Sequence, residues 1–186
     1  MNKKVAIVDY GMGNLHSLFR VFTRLQIQAI ISCDPKEISE ASHVVLPDVG
    51  HFGRAMDELK KRDLLSVIND VSLDYRKPML GICLGMQLMT QGSEEGDCAG
   101  LGWFNGKTSK LKMDPDSNLK VPHLGWNTLE NKKDHAVMNG LMPEDAFYFV
   151  LGFAVLNSEK DEVLCTTSYG VEFTSGLVSR NIIGLQ

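Results

Sequence analysis

Residues 77–88 read KPMLGICLGMQL, which predicts a buried strand over residues 77–83 and a helix that begins near Leu84. A short apolar run that ends at a glycine is typical of a strand covered on both faces. Gly81 and Gly85 flank Cys83, and small residues in these places leave room where a strand turns sharply into a helix. Such a unit belongs to α/β folds, whose ligands bind at the carboxyl edge of a parallel sheet.

The segments that precede this stretch repeat the alternation of strand and helix. Apolar runs predict strands at residues 5–10, 28–32 and 43–50. The spacing of apolar side chains predicts a helix after Asn14 (a candidate N-cap), a short helix opening at Asp34 and Pro35, and a helix over residues 52–69. Strands that alternate with helices form a parallel sheet with helices on both of its faces.

The last part of the chain has a different pattern. Glycines and short alternating runs dominate residues 100–186, which predicts antiparallel strands. No repeat, linker or low-complexity segment divides the chain. We therefore predict a single domain over residues 1–186, with a three-layer α/β fold whose mostly parallel sheet has antiparallel additions.

The composition excludes several classes of function. A net charge of −4 gives no field that attracts nucleic acid or an anionic membrane, and no apolar run is long enough to cross a bilayer. The four cysteines are widely spaced, which favours reduced thiols in a cytoplasmic protein. The five histidines lack the spacing of metal ligands, so we predict neither a metal nor another cofactor.

On the residues alone, Cys83 has two interpretations. In one it is a nucleophile at the crest of a tight turn, next to a helix N-terminus that lowers the pKa of a thiol. In the other it is a small buried core residue, which is common for free cysteines. A nucleophile of this kind needs backbone N–H groups that hold a developing oxyanion. Leu84 would supply one of them, and the stretch of Val49 and Gly50 the other.

Five segments occur here in the order found in class I glutamine amidotransferases, which the chain resembles over essentially its whole length. The match is most similar to the glutaminase subunits of imidazole glycerol phosphate synthases. The resemblance implies the fold of that family, with a flavodoxin-like core. The segments are DYGMGNLHSL (9–18), VVLPDVGHFGRAM (44–56), LGICLGMQLM (80–89), VPHLGWN (121–127) and TSYGVEFTS (167–175).

The resemblance also implies a chemistry. Cys83 would attack the carboxamide of glutamine, giving a thioester and ammonia, and Gly50 and Gln87 would contact the substrate. Val49, Gly50 and Leu84 would form the oxyanion hole. No cofactor takes part in this reaction.

A partner is implied as well. The family passes its ammonia to a cyclase subunit with a (β/α)8 barrel, which uses it in histidine synthesis. The segments that contain Asn14 and Trp126 resemble those that face this partner, so both residues are candidates for the interface. For Trp126 the alternative interpretation is core packing.

One departure from the family concerns the acid-base partner of the cysteine. The family's histidine and glutamate lie in a His-Pro-Glu segment directly after a C-terminal strand. Here that strand is residues 181–186 and the sequence stops at Gln186, so we expect a truncated chain with an incomplete triad and low glutaminase activity. His51, which follows the predicted oxyanion loop, is a candidate for a substitute base.

Two further departures lie near the predicted site. Asp48 stands where the family usually has a glycine whose peptide turns to complete the oxyanion hole, and aspartate has less backbone freedom than glycine. Leu151, Gly152 and Phe153 stand where the family commonly has polar residues near the bound glutamine. We expect both departures to affect turnover or substrate affinity.

Four functions remain open on this sequence. The first is the glutaminase subunit that feeds a cyclase for imidazole glycerol phosphate synthesis. The second is an ammonia donor for another acceptor, such as a sugar of a surface polysaccharide. The third is a catalytically silent module that binds the cyclase. The fourth is an unrelated cysteine hydrolase with the same strand–turn–helix.

Overall fold

The computed structural model describes residues 3–156 and 158–186, so residues 1, 2 and 157 of the predicted domain lie outside the described part. The helices are α1 (Leu15–Arg24), α2 (Pro35–Glu40), α3 (Phe52–Lys61), α4 (Leu64–Asn69) and α5 (Leu84–Leu88). A π-helical segment at Asp70–Asp74 extends α4, and a 3₁₀ turn lies at Ala136–Met138.

The strands fall into two groups along the chain. The first group is β1 (Lys4–Val8), β2 (Gln28–Ser32), β3 (His43–Leu46), β4 (Met79–Ile82), β5 (Gly92–Ser93), β6 (Cys98–Ala99) and β7 (Lys107–Lys110). The second group is β8 (His123–Thr128), β9 (Glu130–Asn131), β10 (Ala146–Leu151), β11 (Phe153–Leu156), β12 (Val163–Tyr169), β13 (Val171–Ser179) and β14 (Ile182–Leu185).

Within the described residues, twelve strands form one sheet in the order β2-β1-β3-β4-β14-β13-β11-β7-β5-β6, with β12 on β13 and β9 on β12. The five strands β2, β1, β3, β4 and β14 are parallel to one another. Antiparallel pairs join β13 to β14, β11 and β12. A separate antiparallel pair, β8 with β10, forms a ribbon beside this sheet. The predicted fold class, a parallel sheet with antiparallel additions, is confirmed.

Helices cover both faces of the parallel strands, as the alternation of side chains in β1 requires. Ala6 and Val8 face the larger core, to which α2, α3, α4 and α5 contribute. Val5 and Ile7 face the other side, where apolar residues of α1 pack against them. Each large aliphatic side chain buried in this way contributes roughly 1.5–3 kcal/mol. The three predicted layers are therefore present.

Two local predictions differ from the structure, and one division within a strand region was not predicted. The helix predicted over 52–69 is broken into α3 and α4, because Asp63 between them is left-handed with a φ of 55°. The apolar run at 146–156 is divided at Gly152: β10 joins the ribbon and β11 the large sheet. Asn14 makes no side-chain capping bond, and its backbone N–H donates instead to the Asp48 carboxylate at 3.2 Å.

Among the described residues, no helix is both long enough and apolar enough to span a bilayer.

Candidate active site

Cys83 occupies a sharp turn between β4 and α5. Its backbone has a φ of 49° and a ψ of −107°, outside the usual regions for a residue with a side chain. The neighbouring glycines make this turn possible. A Cβ on Gly81 would lie 2.7 Å from the carbonyl group of Gly85, and a Cβ on Gly85 would lie 2.8 Å from the carbonyl carbon of Leu46. Only glycine fits at either position.

Hydrogen bonds to two neighbouring segments hold the turn in place. The N–H of Cys83 donates to the carbonyl of Leu185 at the end of β14, at 2.6 Å. The N–H of Leu84 donates to the carbonyl of Asp48 in the loop after β3, at 3.2 Å. The turn is therefore fixed between the ends of two strands adjacent to β4, at the carboxyl edge of the parallel sheet.

A cavity of about 580 Å³ opens at this edge, which is a size typical of small-molecule sites. It brings together all five residues for which the sequence predicted contact with the substrate or the oxyanion. The far wall comes from β10 and from the segment that joins it to β11, including Leu151, Gly152 and Phe153. The five predicted residues that line the cavity are Val49, Gly50, Cys83, Leu84 and Gln87.

Gln87 is buried, with 6% of its surface exposed, and its side-chain amide is fully engaged on the nitrogen side. Its Nε2 donates to the carbonyl of Phe153 at 3.0 Å and to Oε1 of Gln186 at 3.0 Å. Gln186 in turn donates from Nε2 to the Sγ of Cys83 at 3.4 Å. Gln186 was not among the predicted site residues, although its position at the end of a strand parallel to β4 was a signal that it reaches this edge.

The electrostatics of Cys83 differ from the expectation for a thiol at a helix N-terminus. Burial raises the pKa of this thiol above its ordinary value, and the negative charge of Asp48 adds to the effect. Hydrogen bonds from the Leu84 N–H and from Gln186 lower the pKa, but they do not outweigh the burial. The thiol is therefore mostly protonated at neutral pH in this state of the protein.

The loop after β3 lies against the cysteine in a particular conformation. The Asp48 carbonyl accepts the Leu84 N–H, so a donor predicted for the oxyanion is already engaged. The loop is tied on both sides, because the Asp48 carboxylate accepts from the N–H of Asn14 and the carbonyl of Pro47 accepts from the buried hydroxyl of Tyr10 at 2.9 Å. Turning the peptide between Asp48 and Val49 would release the Leu84 N–H.

The candidate for a substitute base, His51, has a different position. Its Nδ1 accepts from the N–H of Arg54 at 3.5 Å and so caps the N-terminus of α3. In the described part of the chain, the residues that line the cavity include no histidine.

The two residues predicted at the interface lie outside the cavity, and Trp126 is the more informative. It is 71% exposed on β8, so the alternative of core packing is wrong. Its ring meets Tyr148 of β10 edge to face at 5.4 Å, and Tyr148 lines the cavity. Asn14 is joined to the site through Asp48.

An exposed apolar surface on the ribbon surrounds Trp126. Four side chains on its outer face are each more than half exposed, and the register of the two strands pairs them directly. Exposed apolar residues grouped in this way mark an interaction surface more often than isolated ones do. We call this the ribbon patch; it comprises Leu124, Trp126, Tyr148 and Val150.

Comparison with known proteins gives a consistent result. The family model for class-I glutamine amidotransferases matches residues 6–186. A Methanococcus maripaludis protein, imidazole glycerol phosphate synthase subunit HisH 2, is 41% identical over 98% of this chain and 89% of its own length. The HisH subunit of Sulfurimonas denitrificans is 42% identical over 98% of this chain and 88% of its own.

Solved structures show the same fold at lower identity. A glutamine amidotransferase from Thermotoga maritima superposes with a TM-score of 0.66 at 16% identity, over 100% of this chain and 75% of its own. PurLQS from the same organism gives 0.70 at 15% identity, over 100% and 87% of the two chains. At these identities the likeness concerns the fold alone.

Proposed function

We propose, from the premise that this chain belongs to the class I glutamine amidotransferase family, that it is the glutaminase subunit of an imidazole glycerol phosphate synthase. One observation of the molecule supports this most directly. Cys83 sits at the crest of a strained turn and borders a cavity of small-molecule size together with Gly50, Leu84 and Gln87. The relatives named as HisH subunits of imidazole glycerol phosphate synthase, about 40% identical over nearly the whole chain, also support it.

The proposed reaction hydrolyses glutamine to glutamate and ammonia in two steps. The thiol of Cys83 gives up its proton and attacks the side-chain carbonyl carbon. A carbon–sulfur bond forms, and the carbon–nitrogen bond breaks as the leaving nitrogen takes up that proton. Water then attacks the thioester, and the sulfur leaves with its electron pair as a thiolate. Gly50 and Gln87 would hold the substrate during both steps.

Each step develops negative charge on the carbonyl oxygen, which the backbone has to stabilise. We propose that the N–H groups of Leu84 and of the stretch of Val49 and Gly50 form this oxyanion hole. The peptide after Asp48 must first turn, because its carbonyl now accepts the Leu84 N–H. The same rotation would direct the Val49 N–H towards the oxyanion, so one movement would supply both donors.

The ammonia would pass to a cyclase partner with a (β/α)8 barrel. The ribbon patch supports this assignment, because it is apolar, exposed and adjacent to the cavity through Tyr148. We propose that the partner covers the patch and the segment that contains Asn14, so that ammonia is released into the interface. We assign this work to the cytoplasm, where free thiols remain reduced.

The test is a glutaminase assay on the chain with its cyclase partner, with glutamate as the measured product. Cys83→Ser should lower the rate at least about a thousandfold, since it removes the nucleophile. Cys33→Ser is the matched control, because Cys33 is exposed and does not line the cavity, and it should keep the wild-type rate. Activity retained in Cys83→Ser would contradict the proposal.

A second candidate is an ammonia donor for a different acceptor, such as a polysaccharide sugar. The apolar wall formed by Leu151, Gly152 and Phe153 favours it, since these residues replace polar ones at the site. The assay separates the two functions. Glutaminase stimulated by a phosphorylated sugar-aminoimidazole on the cyclase supports histidine synthesis, and activity indifferent to that compound supports the other acceptor.

A further inference from the structure

Gln186 lies directly after β14, and its side-chain amide joins the two central residues of the site. Its Nε2 is 3.4 Å from the Sγ of Cys83, and its Oε1 is 3.0 Å from Nε2 of Gln87. The backbone around it is held as well: the N–H of Gln186 donates to the carbonyl of Ser175 at 2.9 Å, and the preceding carbonyl accepts from Cys83. The amide therefore has a defined position relative to the sulfur.

The direction of the Gln186 amide follows from its partners. A carbonyl oxygen only accepts hydrogen bonds, so the carbonyl of Phe153 fixes the NH₂ end of the Gln87 amide towards itself. The second hydrogen of that NH₂ group points to Gln186, which must present its oxygen. The nitrogen of Gln186 is then left to face the sulfur. Three hydrogen bonds in sequence, from Phe153 through Gln87 to Gln186, thus aim an N–H donor at Cys83.

We propose that Gln186 is a positioning residue of this site, which holds an N–H donor against the sulfur of Cys83 because Gln87 binds the oxygen of the same amide. The assignment depends on the proposed function only in taking Cys83 as the nucleophile. The sulfur is negatively charged twice in that reaction, before it attacks and when it leaves the thioester. An N–H donor that remains in place would stabilise the negative sulfur in both steps.

The surroundings of Cys83 disfavour its thiolate form, which an N–H donor stabilises. Among the residues that the structure describes, the charged side chains that act on this thiol are the carboxylates of Asp48 and Glu95. Burial and the two carboxylates raise the pKa of Cys83, while the N–H of Leu84 and the amide of Gln186 lower it. Removing the Gln186 amide should therefore raise the pKa of the thiol further.

The experiment measures alkylation of Cys83 by iodoacetamide in the full chain, followed by peptide mass spectrometry as a function of pH. Gln186→Leu keeps a similar volume but removes the donor. We expect its pH profile to move to higher pH, with alkylation near pH 8 roughly tenfold slower, because hydrogen bonds to charged groups are the stronger ones. The limiting rate at high pH should stay within about twofold of wild type, since the reagent's access is unchanged.

Two further variants keep the test decisive. Gln186→Glu has the same shape but no N–H, and it should shift the profile in the same direction even if Gln186→Leu folds poorly. Gln91→Leu is the matched control: its amide donates to Asn105 on the surface, away from the thiol, so its profile should coincide with wild type. Thermal unfolding of each variant records any purely structural effect.

The outcomes discriminate clearly. A higher midpoint in both Gln186 variants and an unchanged one in Gln91→Leu supports the positioning role. A midpoint equal to wild type in both Gln186 variants overturns it, as does a lower limiting rate with no change in midpoint. Because iodoacetamide needs no glutamine site, these results are independent of the glutaminase assay with Cys83→Ser.

Discussion

The substitution Gly85→Ala examines the packing that allows the turn at Cys83. Gly85 lies in α5 and faces the end of β3. An added Cβ would lie 2.8 Å from the carbonyl carbon of Leu46, 3.0 Å from its Cβ, and closer still to its carbonyl oxygen. These are mostly backbone atoms of a buried strand, so no rotation of a side chain relieves the clash, and α5 has to move away from β3.

The size of the effect follows from two opposing contributions. An extra methyl group in a well-packed site costs about 1–3 kcal/mol, and contact with backbone places this case at the upper end. Alanine is the better helix former by about 1 kcal/mol, which offsets part of the cost. The net loss is then about 2 kcal/mol. For a chain of this size a loss of 1 kcal/mol lowers the melting temperature by about 2–4 °C, so we expect a fall of roughly 4–8 °C.

The assay is thermal unfolding followed by circular dichroism, with Gly152→Ala as the control. Gly152 has room for a Cβ, whose nearest neighbours would be Val121 at 3.9 Å and Pro122 at 4.0 Å. Gly152→Ala should melt within about 2 °C of wild type. If Gly85→Ala melts no lower than Gly152→Ala, the steric explanation of the turn is refuted. The same displacement separates the β3 loop from Cys83, so glutaminase activity should also fall.

Three other changes have defined outcomes. Trp126→Ala should weaken binding of the cyclase at least about tenfold in a titration, while the melting temperature stays nearly constant. Leu25 is also exposed but lies at the far end of α1, so the control Leu25→Ala should bind the cyclase with wild-type affinity. Asp48→Gly removes the acceptor for the Asn14 N–H, so the peptide between residues 48 and 49 should turn more freely. We expect glutaminase turnover to rise by roughly threefold to tenfold, and turnover equal to wild type would contradict this. His123 is buried and stacked on aromatic rings, and burial lowers its pKa. Below about pH 6.5 the unfolded chain therefore binds a proton that the folded chain does not, so the protein loses stability as the pH is decreased. Urea unfolding at about pH 7.5 and about pH 5.5 should show a smaller fall for His123→Phe than for wild type, and an equal fall would count against the assignment.

The turn around Cys83 was predictable because its causes are local. A residue forced to a positive φ between glycines can be recognised from five consecutive residues of the sequence. A strand covered on both faces can be recognised from its continuous apolar composition. The same holds for the loop after β3, whereas the role of Gln87 was implied only by the resemblance to the family. These residues converge because parallel strands end at one edge of the sheet, which is a general property of the fold.

The sequence did not predict the break at Asp63 or the separation of β10 from β11. Asp63 adopts a left-handed conformation that the helical pattern on both sides does not indicate. An apolar run reads the same whether its halves pair with one sheet or with two, since the pairing partners lie elsewhere in the chain.

By itself, the sequence determined the α/β fold and the glycine-flanked turn, because backbone conformation and strand burial depend on neighbours a few positions away. The substrate contacts of Gly50 and Gln87 were implied only by the resemblance to the family. Only the tertiary structure decided what those groups bind. The donor that faces Cys83 comes from Gln186, 103 positions away, and the acceptor of the Leu84 N–H is the carbonyl of Asp48. A hydrogen bond of that kind depends on distances in space that the order of residues along the chain does not specify.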